Sequence, residues 1–332
     1  MAQPTHDEHC YFDDGNIVLK ARSHSRNAEI VYCVHRSLLV RASPAFFGNM
    51  FSMPPPPIVP MYGGHPVVDM PDNADTLGQL IRFLYDAEYF HDVLKANDFT
   101  LKILGPCQLA HQYQVDWITS AVGERLKESW PHTLVGWISR TEEEQEAVSR
   151  ELLGDINGEI EPHWEDKGFQ VRLLPEPVSS ILLARLCTVP EILPFAFLDL
   201  LRSSLEPQHQ FSCYDKQARM ELLPADDWPR IYRARERINI WLSHHPDAPY
   251  ESSRSHKKIT ACQGNTVCEA AIKDIWLKLW RYMATHYDIT QFSVEEGETK
   301  GVCMQCQGKL GRGITALQVE FWESSARFFS LV

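Results

Sequence analysis

One stretch near the start of the chain, residues 30–51, changes from a strand pattern to a helix pattern within a few positions. Ile30 to Val34 is a nearly continuous apolar and β-branched run, which is typical of a buried strand. A short apolar helical turn follows at Leu38 to Val40. Ser43 and Pro44 predict a second helix start, because serine caps helices well and proline at the first helical position loses no hydrogen bond. The bulky residues that continue this helical spacing are Phe46, Phe47, Met50 and Phe51. The stretch predicts a packing and association module.

The neighbouring segments complete a small α+β domain. Ile17 to Leu19 predicts a strand that pairs with the Ile30 run as a hairpin, and Val67 to Met70 predicts a third strand. Apolar residues at helical spacing from Leu77 to Leu84 predict the next helix. Two further helices are expected before residue 130. We therefore expect a polar, flexible tail at residues 1–11 and a domain with a three-stranded sheet and helices at residues 12–130.

The rest of the chain, residues 131–332, predicts a mainly α-helical C-terminal domain. The clearest amphipathic segment runs from Ala270 to Met283, with its apolar residues on one side. An acidic run from Glu142 to Glu146 is interpreted as a solvated helix face. A mixed segment with glycine and proline follows, and it predicts a loop with a short strand at Gln170 to Leu173.

The motif residues of the N-terminal domain carry a resemblance to a known family. The run from Val34 through Ser43-Pro44 to Phe51 resembles the signature of BTB/POZ domains, and Leu77 to Tyr85 resembles the helix of that family that ends in F-[IL]-Y. The resemblance covers about residues 12–127. The whole chain is similar to fungal BTB proteins with a long helical C-terminal region. Asn16 stands where many members have an aspartate that opens the first strand.

The resemblance implies roles for individual residues. At the strand-to-helix junction, His35 is expected to be a buried, hydrogen-bonded structural residue. Residues expected in the domain centre or along a homodimer seam are Leu38, Leu39, Ala42, Phe46 and Phe47. Residues expected where the family offers a surface to cullin scaffolds are Met50, Phe51 and Tyr85.

The function implied by the resemblance is protein interaction. The resemblance implies either a substrate adaptor for a cullin-type ubiquitin ligase or a self-associating scaffold. An alternative is a non-catalytic scaffold for transcriptional or chromatin co-regulators. Catalysis has little support, because the sequence has no nucleophile elbow, metalloprotease motif, Walker loop or dinucleotide fingerprint. A minor alternative is a metal-dependent hydrolase in the C-terminal domain, which would need an open coordination position and a carboxylate base near the cysteines.

Two cysteine pairs in the C-terminal domain indicate a metal site. Cys303-x2-Cys306 has the spacing of a zinc knuckle, and Cys262-x5-Cys268 is a looser pair on the other side of the Ala270 helix. Four thiolates would close a tetrahedron around a structural zinc ion, with His256 as a substitute ligand. The competing interpretation is four reduced cysteines, two of them in packing positions. No other cofactor is expected.

Composition limits the partners and the compartment. The net charge of −12 disfavours nucleic acid and anionic membranes as partners. No apolar run is long enough to span a membrane, and the first ten residues lack the apolar core of a secretory signal. Nine cysteines, an odd number, fit a reducing compartment better than a disulfide framework. Cytoplasm or nucleus is therefore expected.

Overall fold

A computed structural model describes residues 3–54, 57–156, 174–203, 218–245, 265–294, 296–300 and 302–331. The fold is mixed α+β, as predicted, with strands in the N-terminal part and helices throughout. The chain forms two compact units. Unit 1 contains Met1–Glu128 together with Leu182–Val189, and unit 2 contains Ser129–Ile181 and Pro190–Val332. The sequence suggested a single division near residue 130, and it gave no sign that a segment from far along the chain joins the first unit.

The strands of unit 1 form one sheet. They are β1 (Thr5–His6), β2 (Ile17–Ser23), β3 (Ala28–Val34), β4 (Met61–Tyr62) and β5 (His65–Asn73), in the spatial order β1-β3-β2-β5-β4. The predicted hairpin is confirmed: β2 and β3 are antiparallel, with Ile17 opposite Val34. β5 runs parallel to β2, and Val18 lies opposite Val67. The described residues thus form five strands rather than the predicted three, because the two-residue strands β1 and β4 extend the edges.

The prediction of a flexible tail at residues 1–11 is wrong for its described part. Thr5–His6 pairs in parallel with β3, and the His6 ring stacks on Tyr11 at 3.8 Å between ring centroids. Cys10 is only 1% exposed, and its thiol lies 3.8 Å from the carbonyl oxygen of Gly78. Backbone pairing needs no apolar side chains, so a polar sequence can still add a strand to an open sheet edge.

Helices complete unit 1. They are α1 (Arg36–Ala42), α2 (Asn49–Ser52), α3 (Ala74–Tyr85), α4 (Ala87–Lys95), α5 (Phe99–Gln112) and α6 (Asp116–Ser129, with Ser129 counted in unit 2), and a π-helical turn at Pro44–Gly48 leads into α2. The predicted cap is confirmed, because the Ser43 hydroxyl accepts a hydrogen bond from the Phe46 amide at 3.1 Å. α3 starts after Asn73, whose side chain accepts from the Asp75 amide at 2.8 Å. Its apolar face is buried, as its periodicity predicts.

Unit 2 is helical in its described residues. Its elements are α7 (Leu134–Ile156), α8 (Pro177–Leu186, whose last residues belong to unit 1), α9 (Leu193–Arg202), α10 (Asp227–Ser243), α11 (Asn265–His286) and α12 (Met304–Phe328). Trp137 of α7 is fully buried, and its indole N–H donates to Thr290 at 2.9 Å and to Asp288 at 3.3 Å. Arg202 lies 3.6 Å from the same Asp288 carboxylate. No helix in the described part of the chain has the length and apolarity to cross a membrane.

The acidic run of α7 was expected to be a solvated helix face, but one of its residues is buried. Glu144 is only 3% exposed, and its carboxylate accepts a hydrogen bond from the Leu174 amide at 2.9 Å. The helical period places one side of this run against the protein while Glu142 and Glu143 remain exposed. The strand predicted at Gln170 to Leu173 lies outside the described residues.

Candidate functional site

The strand-to-helix junction of unit 1 is organised around the Tyr85 hydroxyl. Its oxygen accepts a hydrogen bond from the His35 amide at 2.7 Å and lies 3.0 Å from His35 Nδ1. His35 Nε2 lies 3.3 Å from the Asp14 carboxylate. These contacts are all satisfied if Tyr85 donates to Nδ1 and Nε2 carries the proton that faces Asp14. The predicted structural role of His35 therefore has a definite partner, although a quarter of its side chain is exposed rather than none.

Asn16 and Arg36 continue this junction into α1. The Asn16 side-chain oxygen accepts from the Arg36 amide at 2.8 Å, so it satisfies a donor at the open start of the helix. The Arg36 guanidinium donates to the Phe51 carbonyl at 2.7 Å and lies over the Phe51 ring at 5.0 Å. Asn16 thus has a hydrogen-bonding role within its own chain.

The aromatic residues after Ser43 pack inward to different depths. Phe47 is 1% exposed, whereas Phe46 is half-buried and stacks on Tyr113 at 4.3 Å between centroids. Phe47 also meets Tyr113 edge-on at 5.4 Å. Each such aromatic pair stabilises the fold by about 0.5–1.5 kcal/mol beyond the contribution of the apolar area that it buries. Phe47 is therefore a core residue, while Phe46 keeps part of its ring at the surface.

The remaining predicted contact residues divide into buried and half-buried ones. Leu39 is fully buried in unit 1, so it belongs to the domain centre and has no surface to offer a partner. Leu38 and Ala42 are half-buried and lie on one side of α1, four residues apart. Met50 and Phe51 are also half-buried. The chain that follows leaves several apolar side chains strongly exposed, namely Met53, Ile58 and Met61.

Three of the four predicted metal ligands come together in unit 2. The sulfur atoms of Cys268, Cys303 and Cys306 all lie within 4.8 Å of one another. Cys268 is on α11, Cys303 directly precedes α12, and Cys306 is in the first turn of α12. The predicted fourth ligand, Cys262, lies outside the described residues, as does the substitute ligand His256. The spacing argument therefore identified residues that the fold places side by side.

The surroundings of this cysteine cluster are apolar, and hydrogen bonds hold the turn beside it. Cys268 is 2% exposed and Val302 is 5% exposed, whereas Cys303 is more accessible. The Cys303 amide donates to the Cys268 sulfur at 3.3 Å. Gln307 fixes the preceding turn, because its side-chain amide donates to the Val302 carbonyl at 2.8 Å. Among the described residues this group contains cysteines only, with no carboxylate to act as the base that a hydrolase would need.

The structure also brings together two thiols that the sequence did not point to. The sulfur atoms of Cys107 on α5 and Cys187 after α8 lie 3.7 Å apart within unit 1. Their hydrogen bond raises the pKa of Cys107, which burial raises further, and lowers the pKa of Cys187. The residues are 80 positions apart, and neither belongs to a recognisable motif, so only the fold could reveal the pair.

Comparison with known proteins gives no relative from which a role could be transferred: no family model, no curated protein and no solved structure matches this chain.

Proposed function

We propose that the chain is a non-catalytic protein-interaction protein whose N-terminal unit is a BTB-like module that self-associates and binds a cullin-type scaffold. The observation that carries this proposal is a set of incompletely buried apolar side chains between residues 38 and 61. They are Leu38, Met50, Met53, Ile58 and Met61. A contiguous patch of exposed apolar side chains marks an association site, and in this proposal these residues supply one. The order of elements also supports it: a hairpin, two short helical segments, a further long strand and an amphipathic helix follow one another in the order of the segments that carry the resemblance.

Three of these apolar side chains are mostly exposed to solvent. Ile58 is 86% exposed, Met53 64% and Met61 59%. Covering an isoleucine side chain completely is worth about 1.5–3 kcal/mol. A partner that covered Ile58 would therefore gain at least about tenfold in affinity from that residue, since 1.4 kcal/mol corresponds to a factor of ten. We place the self-association surface on α1 and on the segment that includes Ile58 and Met61.

The cullin-facing candidates have different roles in this proposal. Met50 on α2 is half-buried and has apolar surface to offer. Phe51 already has the Arg36 guanidinium over its ring. Tyr85 uses its hydroxyl within the domain to hold His35. We therefore assign direct cullin contact mainly to Met50 and a supporting role to Tyr85.

Self-association is tested by light scattering on the purified chain across a concentration series. We expect a dimer whose dissociation constant rises at least about tenfold in Ile58→Glu, from the burial energy above. Val135→Glu is the matched control, because Val135 is 74% exposed but belongs to unit 2. A wild-type chain that stays monomeric at about 100 μM would refute self-association, since a specific interface of standard size binds more tightly than that.

Cullin binding is tested separately by pull-down with a cullin N-terminal domain. We expect wild-type binding at micromolar concentration and loss of binding in Met50→Glu, because a charge placed in an apolar contact must be desolvated. Val135→Glu again serves as the control. Equal recovery with the wild type, Met50→Glu and a blank resin would contradict the adaptor role and leave the self-association result standing on its own.

A further inference from the structure

The three cysteines of unit 2 meet although they come from separate parts of the chain. Cys268 lies near the start of α11, and the other two lie 35 and 38 positions later, at the start of α12. Cysteine packs like a small apolar residue, and Cys268 and Cys306 lie in an apolar cluster with Val302, but burial alone does not require that three thiols meet at one place. Three sulfur atoms within 4.8 Å of one another form a set that thiophilic cations bind.

The spacing of the sulfur atoms fits a shared ion. Thiolates bound to tetrahedral zinc at about 2.3 Å lie about 3.8 Å from one another, and in a trigonal site about 4.0 Å. No two of the sulfur atoms are more than 4.8 Å apart, so no pair needs to close by more than about 1 Å to share an ion. Small rotations about the Cα–Cβ bonds provide such a shift without moving either helix.

A backbone donor and a helix end lie beside these sulfur atoms. Cys303 and Cys306 stand at the amino end of a 25-residue helix, where the helix dipole favours negative charge. The Cys303 N–H already donates to the Cys268 sulfur at 3.3 Å, the kind of outer contact that orients a metal-bound thiolate. The Gln307 side-chain amide donates to the Val302 carbonyl at 2.8 Å, a further contact that supports this turn.

From the convergence of these thiols, their spacing and their amide donor, we propose that Cys268, Cys303 and Cys306 bind a thiophilic d10 cation, zinc(II) or copper(I). Each thiol loses its proton to solvent as the sulfur–metal bond forms, so binding releases protons and no electrons are transferred. The ion joins the start of α11 to the start of α12. The site is independent of the interaction function proposed for unit 1.

The test measures the metal content of the full-length protein by mass spectrometry after gel filtration. We expect about one ion per chain in the wild type and less than about 0.1 in Cys303→Ser, because loss of one thiolate removes a ligand from the ion. The element found distinguishes zinc from copper. Cys187→Ser is the matched control, a partly exposed cysteine in unit 1, and it should retain the wild-type ratio.

A second measurement on the wild type covers the case in which Cys303→Ser does not fold. Titration with a mercurial that caps thiolates should release the ion in step with the blocked cysteines, and replacement by cobalt(II) should give the sulfur-to-metal charge-transfer band of thiolate ligands. Wild-type protein without metal after supplementation with zinc and copper would overturn the proposal. So would a cobalt(II) adduct that lacks the thiolate band, or a metal ratio that Cys303→Ser leaves unchanged.

Discussion

Tyr85→Phe isolates what the hydroxyl contributes to the strand-to-helix junction. The substitution keeps the ring, which stacks on Phe12 at 4.3 Å, and removes the oxygen that accepts from the His35 amide. An amide that loses its partner in a partly buried place costs about 1–3 kcal/mol. Because Tyr85 is only half-buried, water recovers part of this loss, and we expect about 1–2 kcal/mol.

Hydrogen exchange followed by mass spectrometry reports this loss locally. In peptides that span the end of β3 and the start of α1, amide exchange should be about 5–30 times faster in Tyr85→Phe, as 1–2 kcal/mol requires when exchange follows local opening. Tyr232→Phe provides the control, since Tyr232 is 57% exposed and lies in unit 2. Exchange in these peptides that matches the wild type would show that the Tyr85 hydroxyl does not hold the junction.

A double-mutant cycle separates the two bonds of this hydroxyl. His35→Leu removes the ring nitrogen that lies 3.0 Å from the Tyr85 oxygen but keeps the backbone amide. If the amide bond dominates, Tyr85→Phe should cost nearly as much in the His35→Leu background as in the wild type. A cost that vanishes in that background would assign the stabilisation to the ring instead.

Three further predictions concern stability and pH. Gly15→Ala should destabilise unit 1 by about 1–3 kcal/mol, because the new Cβ would lie 2.6 Å from the Cys33 sulfur, and urea unfolding that is unchanged would contradict it. Trp137→Phe should lower the free energy of unfolding of unit 2 by about 1–3 kcal/mol, since it removes a donor to the buried Asp288 carboxylate; an unshifted thermal midpoint would argue against this. Burial, and to a smaller extent the Asp7 carboxylate, raises the pKa of the Cys10 thiol from 9.0 to about 12. The thiol therefore ionises at lower pH in the unfolded chain than in the folded one, and the free energy of unfolding falls as pH rises from 9 towards 12. Cys10→Ser should flatten that alkaline slope in urea midpoints, and an equally steep slope would exclude Cys10 as its source.

The sequence predicted those elements of the fold whose side chains carry a strong periodic signal. The β-branched run of β3 and the apolar face of α3 formed as expected, because burial of these faces decides their conformation. The strand Thr5–His6 was missed because backbone hydrogen bonds stabilise it and its side chains are exposed. Glu144 was misjudged because charge alone does not reveal which side of a helix faces the protein.

In the candidate sites, too, the sequence predicted what a local pattern encodes and missed what depends on tertiary contacts. Local spacing was enough to pair Cys303 with Cys306, and the second pair, Cys262 and Cys268, on the other side of the Ala270 helix pointed to Cys268 as their neighbour. The contact of Cys107 with Cys187 depends on chain topology, which no local pattern encodes. The exposed state of Ile58 and the internal use of the Tyr85 hydroxyl likewise depend on neighbours that are distant in sequence.

The membership of Leu182–Val189 in unit 1 has a consequence for synthesis on the ribosome. Val189 is 2% exposed and packs against Gly123 of α6, at 3.2 Å from the position that a Cβ would take there. Translation at about 5–20 residues per second delivers this segment roughly 3–12 s after the end of α6. During that interval the nascent N-terminal unit lacks the Val189 contact beside Gly123, so this part of unit 1 completes its packing only after the later segment is synthesised.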